Sequence, residues 1–485
     1  MLLEKLLCNI DYCVTKGELN IQINDVKYDN RKVTEGDIFV CIKGTKVDGH
    51  NFATDAIERG ASVIITEKEL NINYDYTEVV VKDSRKALAI ISANYFGNPV
   101  EKMKLIGVTG TNGKTTTAFM IKSILENEGI KTGLIGTIAN YIGNKEIKTE
   151  RTTPESYELH QLFRQMVDED VECCVMEVSS HSLELDRVYG IKFNVGIFTN
   201  LTRDHLDFHG TFENYYKAKY KLFENSYYKV INIDDKYGER IVEELLIKGE
   251  KDRTLSFSIS KEADFEGENI TINGVLSSFN VINKNDKHKI SLQIPGDYNV
   301  HNALGAIGAT RILGISWDSI INALKNTVVA GRCERIGYEF NKNFEIINDY
   351  AHTPDGLENI LSTARKFTKN RLICIFGCGG DRDKQKRGEM GEIATRLCDY
   401  VIVTSDNPRS EEPIEIINDI VRELKLTNYE IIENRYNAIE KGISICKDGD
   451  VLIIAGKGHE TYQILKDKVI DFDERKVVKE ILERR

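Results

Sequence analysis

Three glycines spaced by three, Gly107, Gly110 and Gly113, break an apolar, β-rich run that starts at Met103, and Lys114, Thr115, Thr116 and Thr117 follow at once. Residues of these types in this order can hold a phosphate. Glycine lets the backbone turn its N–H groups toward an anion, and a helix starting near Lys114 would point its positive end at the same place. Lys114 adds a point charge, and the Thr115 hydroxyl stands where a phosphate-bound Mg2+ takes an oxygen ligand. The position five before Gly113 is Val108 rather than glycine, so the loop is a subtype of the commonest phosphate-loop spacing. A tight strand-to-helix turn with no ligand is the plain alternative.

Further candidates follow in chain order. Glu177 ends the apolar run 171–178 and precedes Ser179-Ser-His-Ser182, which carries a carboxylate to the edge of a sheet where ligands bind. The segment 199–210 packs Asp204, His205, Asp207 and His209 into one loop, with His205 as the candidate metal ligand. Lys217, Lys219 and Lys221 fall on a predicted helix and, by charge alone, read as solvent lysines. In the last third, three loops follow predicted strands: 377–384 with Arg382, 404–409 with Arg409, and 455–460 with Glu460. Planar guanidinium grips a carboxylate through two parallel hydrogen bonds, and Glu460 can accept from an ammonium. Together the loops predict a pocket for an amino acid bearing more than one carboxylate.

The elements that must position these groups form a repeating α/β pattern. Short apolar strands alternate with helices, which predicts doubly wound, mostly parallel sheets. A small α/β unit precedes the break at Gly97-Asn-Pro99. The central unit carries the phosphate loop and, from 254 to 293, polar alternating runs expected as added antiparallel strands. A helix over 300–313 leads to a boundary near 330, and a Rossmann-like unit follows. The expected domains are 1–99, 100–329 and 330–485. A chain of 485 residues has room for about three cores. Its 65 basic and 76 acidic residues give a net charge of −11 with no long basic run, which argues against nucleic acid as a partner. The ten cysteines lack paired metal spacing and read as buried thiols of a reducing, cytoplasmic compartment. No apolar run reaches the length of a membrane span.

The motifs 110–116 (GTNGKTT), 177–181 (EVSSH), 199–205 (TNLTRDH), 349–354 (DYAHTP) and 406–409 (DNPR) occur in the order of the Mur ligases of peptidoglycan synthesis, and the chain resembles that family along its whole length. The resemblance implies an ATP-dependent amide ligase working through an acyl phosphate, and its motifs are most similar to members that add meso-diaminopimelate to UDP-N-acetylmuramoyl-L-alanyl-D-glutamate. It implies that Gly110, Thr111, Asn112, Gly113, Lys114, Thr115 and Thr116 bind ATP, with Asn302, Arg332 and Asp349. It further implies Mg2+ on Thr115 and Glu177. A second Mg2+ is implied on His205 and on Lys219, the latter converted by carbon dioxide to a carbamate. Catalysis is assigned to Lys114, Glu177, His205 and Lys219. The nucleotide-linked dipeptide falls to Asn30, Thr45, Lys46, Val47, Thr152, Thr153, Ser179 and Arg187. Diaminopimelate falls to Arg382, Asp406, Asn407, Pro408, Arg409, Gly456 and Glu460. The sequence departs from the family at Asn30, where Ser is usual, and at Leu185, where some members have Gln. A monomer is the expectation. The alternatives are a lysine-adding ligase, a folylpolyglutamate synthetase, which normally lacks the first domain, a kinase, and a nucleotide-dependent switch without ligase activity.

Overall fold

The computed structural model describes residues 1–44, 47–284 and 286–484. These divide into two compact units, one formed by Met1–Thr109, Ile130–Gly196 and Lys217–Tyr228, the other by Gly110–Gly129, Ile197–Tyr216 and Lys229–Arg485.

The first unit opens with a five-stranded sheet in the order Tyr12–Lys16, Thr77–Val81, Val63–Thr66, Ile38–Val40, Val26–Lys27. All neighbours are parallel except the first pair. Side chains alternate across a strand, so Ile38 and Val40 join one buried cluster with Val63, Ile65, Leu88 and Ile91, while Phe39 and Cys41 join another with Ala53, Ala56 and Ile64. Helix Ser84–Tyr95 begins where the Asp83 carboxylate accepts from the N–H groups of Arg85 and Lys86 at 3.0 and 3.1 Å. Beyond this sheet, strand Cys173–Glu177 lies parallel between Lys104–Thr109 and Thr132–Ile135. All five of its residues are buried, as expected of a strand covered on both faces. An antiparallel hairpin, Asn140–Ile142 and Lys145–Ile147, continues from Thr132–Ile135. The sequence pattern did not announce it, because only three residues pair on each side of a turn at Gly143.

In the second unit, residues 229–232 pair in parallel with Thr254–Ser258, which pairs in parallel with Phe265–Asn273. Phe265–Asn273, Leu276–Asn283 and Asp286–Leu292 then form an antiparallel meander. The expectation of antiparallel strands over 254–293 therefore needs correcting at its start. Helix Lys236–Ile247 returns the chain to the same end of the sheet, which makes Thr254–Ser258 parallel to the strand before it. Helix Asp297–Ile312 packs so closely that a Cβ on Gly308 would come 2.8 Å from Val230 Cγ1. A six-stranded sheet follows in the order Glu334–Ile336, Glu345–Asp349, Val451–Ala455, Leu372–Phe376, Tyr400–Val403, Tyr429–Ile431, parallel except for its first strand. The parallel direction delivers the loops after Asp349, Phe376, Val403 and Ala455 to one edge.

Seven cysteines are buried and Cys446 is half-buried, but Cys8 and Cys13 are exposed, which corrects the expectation that all ten are interior thiols. Among the described residues no helix is long and apolar enough to cross a membrane.

Candidate functional site

The phosphate loop is shaped by two of its three glycines. Gly107 lies within strand Lys104–Thr109, where a Cβ would meet the Phe193 ring at 2.8 Å, so its role is packing. Gly110 and Gly113 have φ of +155° and +85°. A Cβ there would strike Thr199 Oγ1 at 1.8 Å and Asn302 Oδ1 at 2.2 Å, which leaves glycine as the residue that fits. Helix Lys114–Asn127 starts as predicted. Lys114 Nζ donates to the loop carbonyls of Gly110 and Thr111 at 3.0 and 2.8 Å. The segment from Thr199 braces the loop from outside. Thr111 N donates to Asn200 O and Asn112 N to Asn200 Oδ1, both at 2.9 Å. Thr199 Oγ1 donates to Asn112 O at 2.6 Å, and Thr202 N to Thr111 Oγ1 at 3.0 Å. The first half of the 199–205 motif thus holds the cradle in shape, a role the sequence did not suggest.

Asn112, Gly113, Thr116, Asn302, Arg332 and Asp349 line one cavity of about 350 Å³ in the second unit, a size suited to a small-molecule ligand. Arg332 reaches across it to donate to Thr115 Oγ1 at 3.1 Å, with its guanidinium 4.6 Å from the centre of the Tyr350 ring. Asp349 is buried, which pushes its carboxyl pKa up. Its oxygens accept from Cys333 N and Ala351 N at 2.7 and 2.8 Å, so it also fastens the turn that carries Arg332. Sequence reasoning missed several lining residues. Asp355 accepts from Asn112 Nδ2 at 2.6 Å. His301 pairs with Asp234 at 2.7 Å. Burial opposes ionisation of Asp234, but hydrogen bonds from His301, Ser258, Ser260 and Ile259 N hold its carboxyl far below the usual range. Asp234 lies in a turn and Asp355 in the first turn of helix Pro354–Phe367, ordinary places for an aspartate, so no local pattern marks them.

In the first unit, Glu177 is buried and accepts from Thr137 N at 2.9 Å and Thr137 Oγ1 at 3.0 Å. A Cβ on Gly136 would stand 2.4 Å from Glu177 Oε1, so glycine there makes room for the carboxylate. Thr152, Thr153, Ser179 and Arg187 gather around it. Thr137 and Thr152 hydroxyls meet at 3.0 Å, Thr153 Oγ1 donates to Glu177 O at 2.8 Å, Ser179 N donates to Thr153 Oγ1 at 3.1 Å, and Arg187 Nη1 to Thr153 O at 3.1 Å. Glu155, not foreseen, pairs with Arg187 at 2.7 Å, Arg151 at 2.9 Å and Arg85 at 3.7 Å. Asn30 is engaged elsewhere, donating to Asp55 Oδ2 at 2.7 Å, and Val47 is exposed. Thr45 and Lys46 lie outside the described residues.

His205 adopts φ +53° and pairs with Asp204 at 3.3 Å. Burial raises the Asp204 pKa, but the positive charges of His205, His352, Lys386 and Lys114 outweigh it and hold the carboxyl below its usual range. His209 stacks on Tyr215 with ring centres 4.9 Å apart. On helix Phe212–Glu224, Lys217 is exposed, but Lys219 is 2% exposed, so the expectation of a solvent lysine fails there. Helical periodicity turns Lys219 inward with Tyr215, Tyr216 and Phe223, and a lone cation gives no signal of that in sequence.

The third group forms at the edge of the six-stranded sheet. Asn407 Nδ2 donates to Glu460 Oε2 at 2.8 Å, and Lys457, fully buried, donates to Asn407 Oδ1 at 3.1 Å and Glu460 Oε2 at 2.9 Å. Glu460 is therefore already an acceptor for one internal ammonium. Arg409, at φ +53°, donates to Gly380 O at 2.8 Å, and a Cβ on Gly379 would stand 2.8 Å from its Nη1 and 3.8 Å from Arg382 Cγ. Burial and the neighbouring charge of Arg382 both draw the Arg409 pKa down, the condition an anionic ligand would relieve. Asp406 and Gly456 face each other closely enough that a Cβ on Gly456 would lie 2.7 Å from Asp406 Oδ2. The Pro408 carbonyl would meet a Cβ on Gly380 at 1.9 Å.

Comparison with known proteins gives matches across these regions. Residues 22–105 match the Mur ligase family, catalytic domain, 108–310 the Mur ligase middle domain, and 331–458 the Mur ligase, glutamate ligase domain. The UDP-N-acetylmuramoyl-L-alanyl-D-glutamate–2,6-diaminopimelate ligase of Clostridium perfringens is 59% identical over 483 residues, covering all of both chains. The ligase of the same name from Clostridium tetani is 55% identical over 487 residues, covering 100% of this chain and 99% of that one. A solved structure of a ligase of that name is 28% identical with a TM-score of 0.72, covering 100% of this chain and 99% of that one. MurF from Acinetobacter baumannii, 18% identical with a TM-score of 0.67 over 99% and 98% of the two chains, shares the fold. The chain belongs to the Mur ligase family, with its three-domain α/β fold.

Proposed function

We propose that this enzyme joins meso-diaminopimelate to the D-glutamate side chain of UDP-N-acetylmuramoyl-L-alanyl-D-glutamate, consuming ATP and releasing ADP and phosphate, as a cytoplasmic monomer in peptidoglycan precursor synthesis. The observation that carries the choice of amino acid is the half-buried Arg409, whose guanidinium lies beside Gly379 with the positive charge of Arg382 nearby, so that two arginines are available to a second carboxylate. Full-length likeness at 59% identity to a ligase named for these substrates supports it. Domains are assigned to 1–99 for the nucleotide sugar, 100–329 for ATP and 330–485 for the amino acid.

A carboxylate is a poor electrophile, so it is first given a leaving group. Its oxygen attacks the γ-phosphorus of ATP, the bond to the β-phosphate oxygen breaks, and ADP departs. The neutral amine then attacks the acyl carbon of the acyl phosphate, and the carbon–oxygen bond to phosphate breaks. Gly110 to Thr116 cradle the phosphates, Lys114 supplies positive charge, and Asn302, Arg332 and Asp349 border the nucleotide. Thr152, Thr153, Ser179 and Arg187 orient the dipeptide carboxylates, with Asn30 and the 45–47 segment assigned to the nucleotide end. Asp406, Asn407 and Glu460 receive the ammonium end of the amino acid, Arg382 and Arg409 its distal carboxylate.

The two residues assigned to the first Mg2+ each offer an oxygen of the kind a hard cation takes. Glu177 sits in a space that Gly136 keeps clear, and Thr115 offers a hydroxyl in the first turn of its helix. Mg2+, when bound, would neutralise charge on the transferring phosphoryl group. His205 and a carbamate on Lys219 are assigned to a second ion. Lys219 is buried rather than turned to solvent, and a carbamate there would offer oxygen ligands.

An amino-acid panel assayed for ADP release with the dipeptide nucleotide present tests the proposal. Release should require all three substrates, prefer meso-diaminopimelate, and yield an amide by mass. Preference for lysine would make this a lysine-adding ligase instead. Phosphate release independent of any amino acid would favour a nucleotide switch.

A further inference from the structure

Two of the three loops of the proposed amino-acid pocket are not neighbours in the sheet. Strand Leu372–Phe376 lies between Tyr400–Val403 and Val451–Ala455, so the loops bearing Asp406 and Gly456 need a bridge past its end. The intervening loop packs tightly on the Asp406 loop at Gly377, where a Cβ would strike Thr404 O at 2.2 Å. Besides the bonds of Asn407 to Glu460 and Lys457, a buried side chain from elsewhere joins the Asp406 and Gly456 loops: Arg435, the first residue of helix Arg435–Ile445. Its side chain is wholly buried. Nη2 donates to Ala455 O at 2.8 Å and Nη1 to Ser405 O at 3.3 Å, the carbonyls directly before Gly456 and Asp406. Nη1 also lies 4.0 Å from Asp406 Oδ2. Nε donates at 2.6 Å to Oε1 of Glu474, which is equally buried and opens helix Glu474–Glu483. The second Glu474 oxygen has no hydrogen-bond partner.

Burying such a pair is a poor way to stabilise a fold, because apolar side chains of the same volume commonly do as well or better. The pair is better explained by what its geometry holds. A planar fork reaches two divergent carbonyls and a carboxylate at fixed angles, whereas a lysine ammonium on a flexible stem reaches them without fixing a direction. We propose that Arg435, oriented by Glu474, is a positioning residue that locks the Asp406 and Gly456 loops in the spacing required to bind the incoming amino acid. It touches no substrate itself. The inference rests on the proposed amino-acid specificity, and it names residues that specificity alone does not.

The test uses full-length Arg435→Lys, Arg435→Met and Glu474→Gln enzymes with the Michaelis constant for each substrate measured separately. Arg435→Lys should raise KM for meso-diaminopimelate about tenfold or more and erode its preference over lysine by a similar factor, with KM for ATP and for the dipeptide nucleotide within about twofold of the parent. Glu474→Gln, which keeps volume and one acceptor, should give a smaller change of the same kind, about threefold to tenfold. Should the Arg435 variants fail to fold, Glu474→Gln decides alone. A folded variant with an unchanged KM for the amino acid, or with all three constants raised together, overturns the proposal and makes the pair merely structural. A parent enzyme that uses no amino acid in the panel would instead sink the proposed function, and a parent preferring lysine would leave the same split to be read with lysine.

Discussion

The phosphate loop and the amino-acid pocket are two ways of building a charged site. The loop carries its chemistry in one stretch, braced from outside by Thr199, Asn200 and Thr202: its positive φ angles, its lysine and its hydroxyls lie within seven consecutive residues, and Lys114 bonds to carbonyls three and four positions back. The proposed amino-acid pocket is assembled from three loops between 377 and 460, and its shape depends on buried ions: Lys457 within one of those loops, and Arg435 and Glu474 from other segments. A contiguous motif can be damaged at one residue without disturbing the fold. An assembled site transmits damage through its supports, and this difference can be measured.

The largest effect is expected for Lys114→Ala, which removes a phosphate-directed charge and should lower turnover by about 10³ while leaving the melting temperature nearly unchanged, as followed by ADP release and calorimetry. A large thermal loss would show that the motif cannot be damaged at one residue without disturbing the fold. Lys219→Ala should lower turnover by roughly 10², with no rescue by bicarbonate because the atom that would carry the carbamate is gone. Unchanged turnover would remove Lys219 from the site. Arg409→Ala should raise KM for diaminopimelate by about 10² with little change for ATP, because a distal carboxylate would lose its bidentate partner. Equal constants in mutant and parent would break the second-carboxylate argument. The smallest effect is set for Gly379→Ala. Its new Cβ would stand 2.8 Å from the end of the Arg409 side chain, which can shift, so KM for diaminopimelate should rise only several-fold. A loss as large as that of Arg409→Ala would show the pocket to be more rigid than side-chain mobility suggests.

Much of the fold was legible because its strands are short, continuous and apolar. The run Cys173–Glu177 and the four inner strands of the last sheet fell where the pattern placed them, within a residue or two, whereas its edge strands Glu334–Ile336 and Tyr429–Ile431 were not foreseen. The shortest elements were not legible: the three-residue strands of the hairpin at 140–147, and the small pair Tyr462–Ile464 and Val469–Asp471 that follows Glu460. The direction of Thr254–Ser258 was misjudged because alternation reports exposure of a face and says nothing about the sense of pairing. Within the sites, motif residues were found and their supports were not. Thr199 and Asn200 were noticed as part of a metal-like loop, yet their hydrogen bonds go to the phosphate loop. Lys219 read as a solvent cation because one lysine among three on a helix carries no mark of which face it shares.

By itself the sequence determined the chemistry that depends on local backbone geometry: glycines where φ must be positive, a helix beginning at Lys114, and strand ends that carry Glu177 and Asp406 to a sheet edge. Those properties are set by a residue and its near neighbours, so they survive without knowledge of the fold. Tertiary structure alone decided which charges are buried and whom they meet, as in Arg332 on Thr115, Lys457 between Asn407 and Glu460, and Arg435 on Glu474. The energy of a charge depends on the dielectric and the partners around it, and both come into being only when segments distant in the chain pack together.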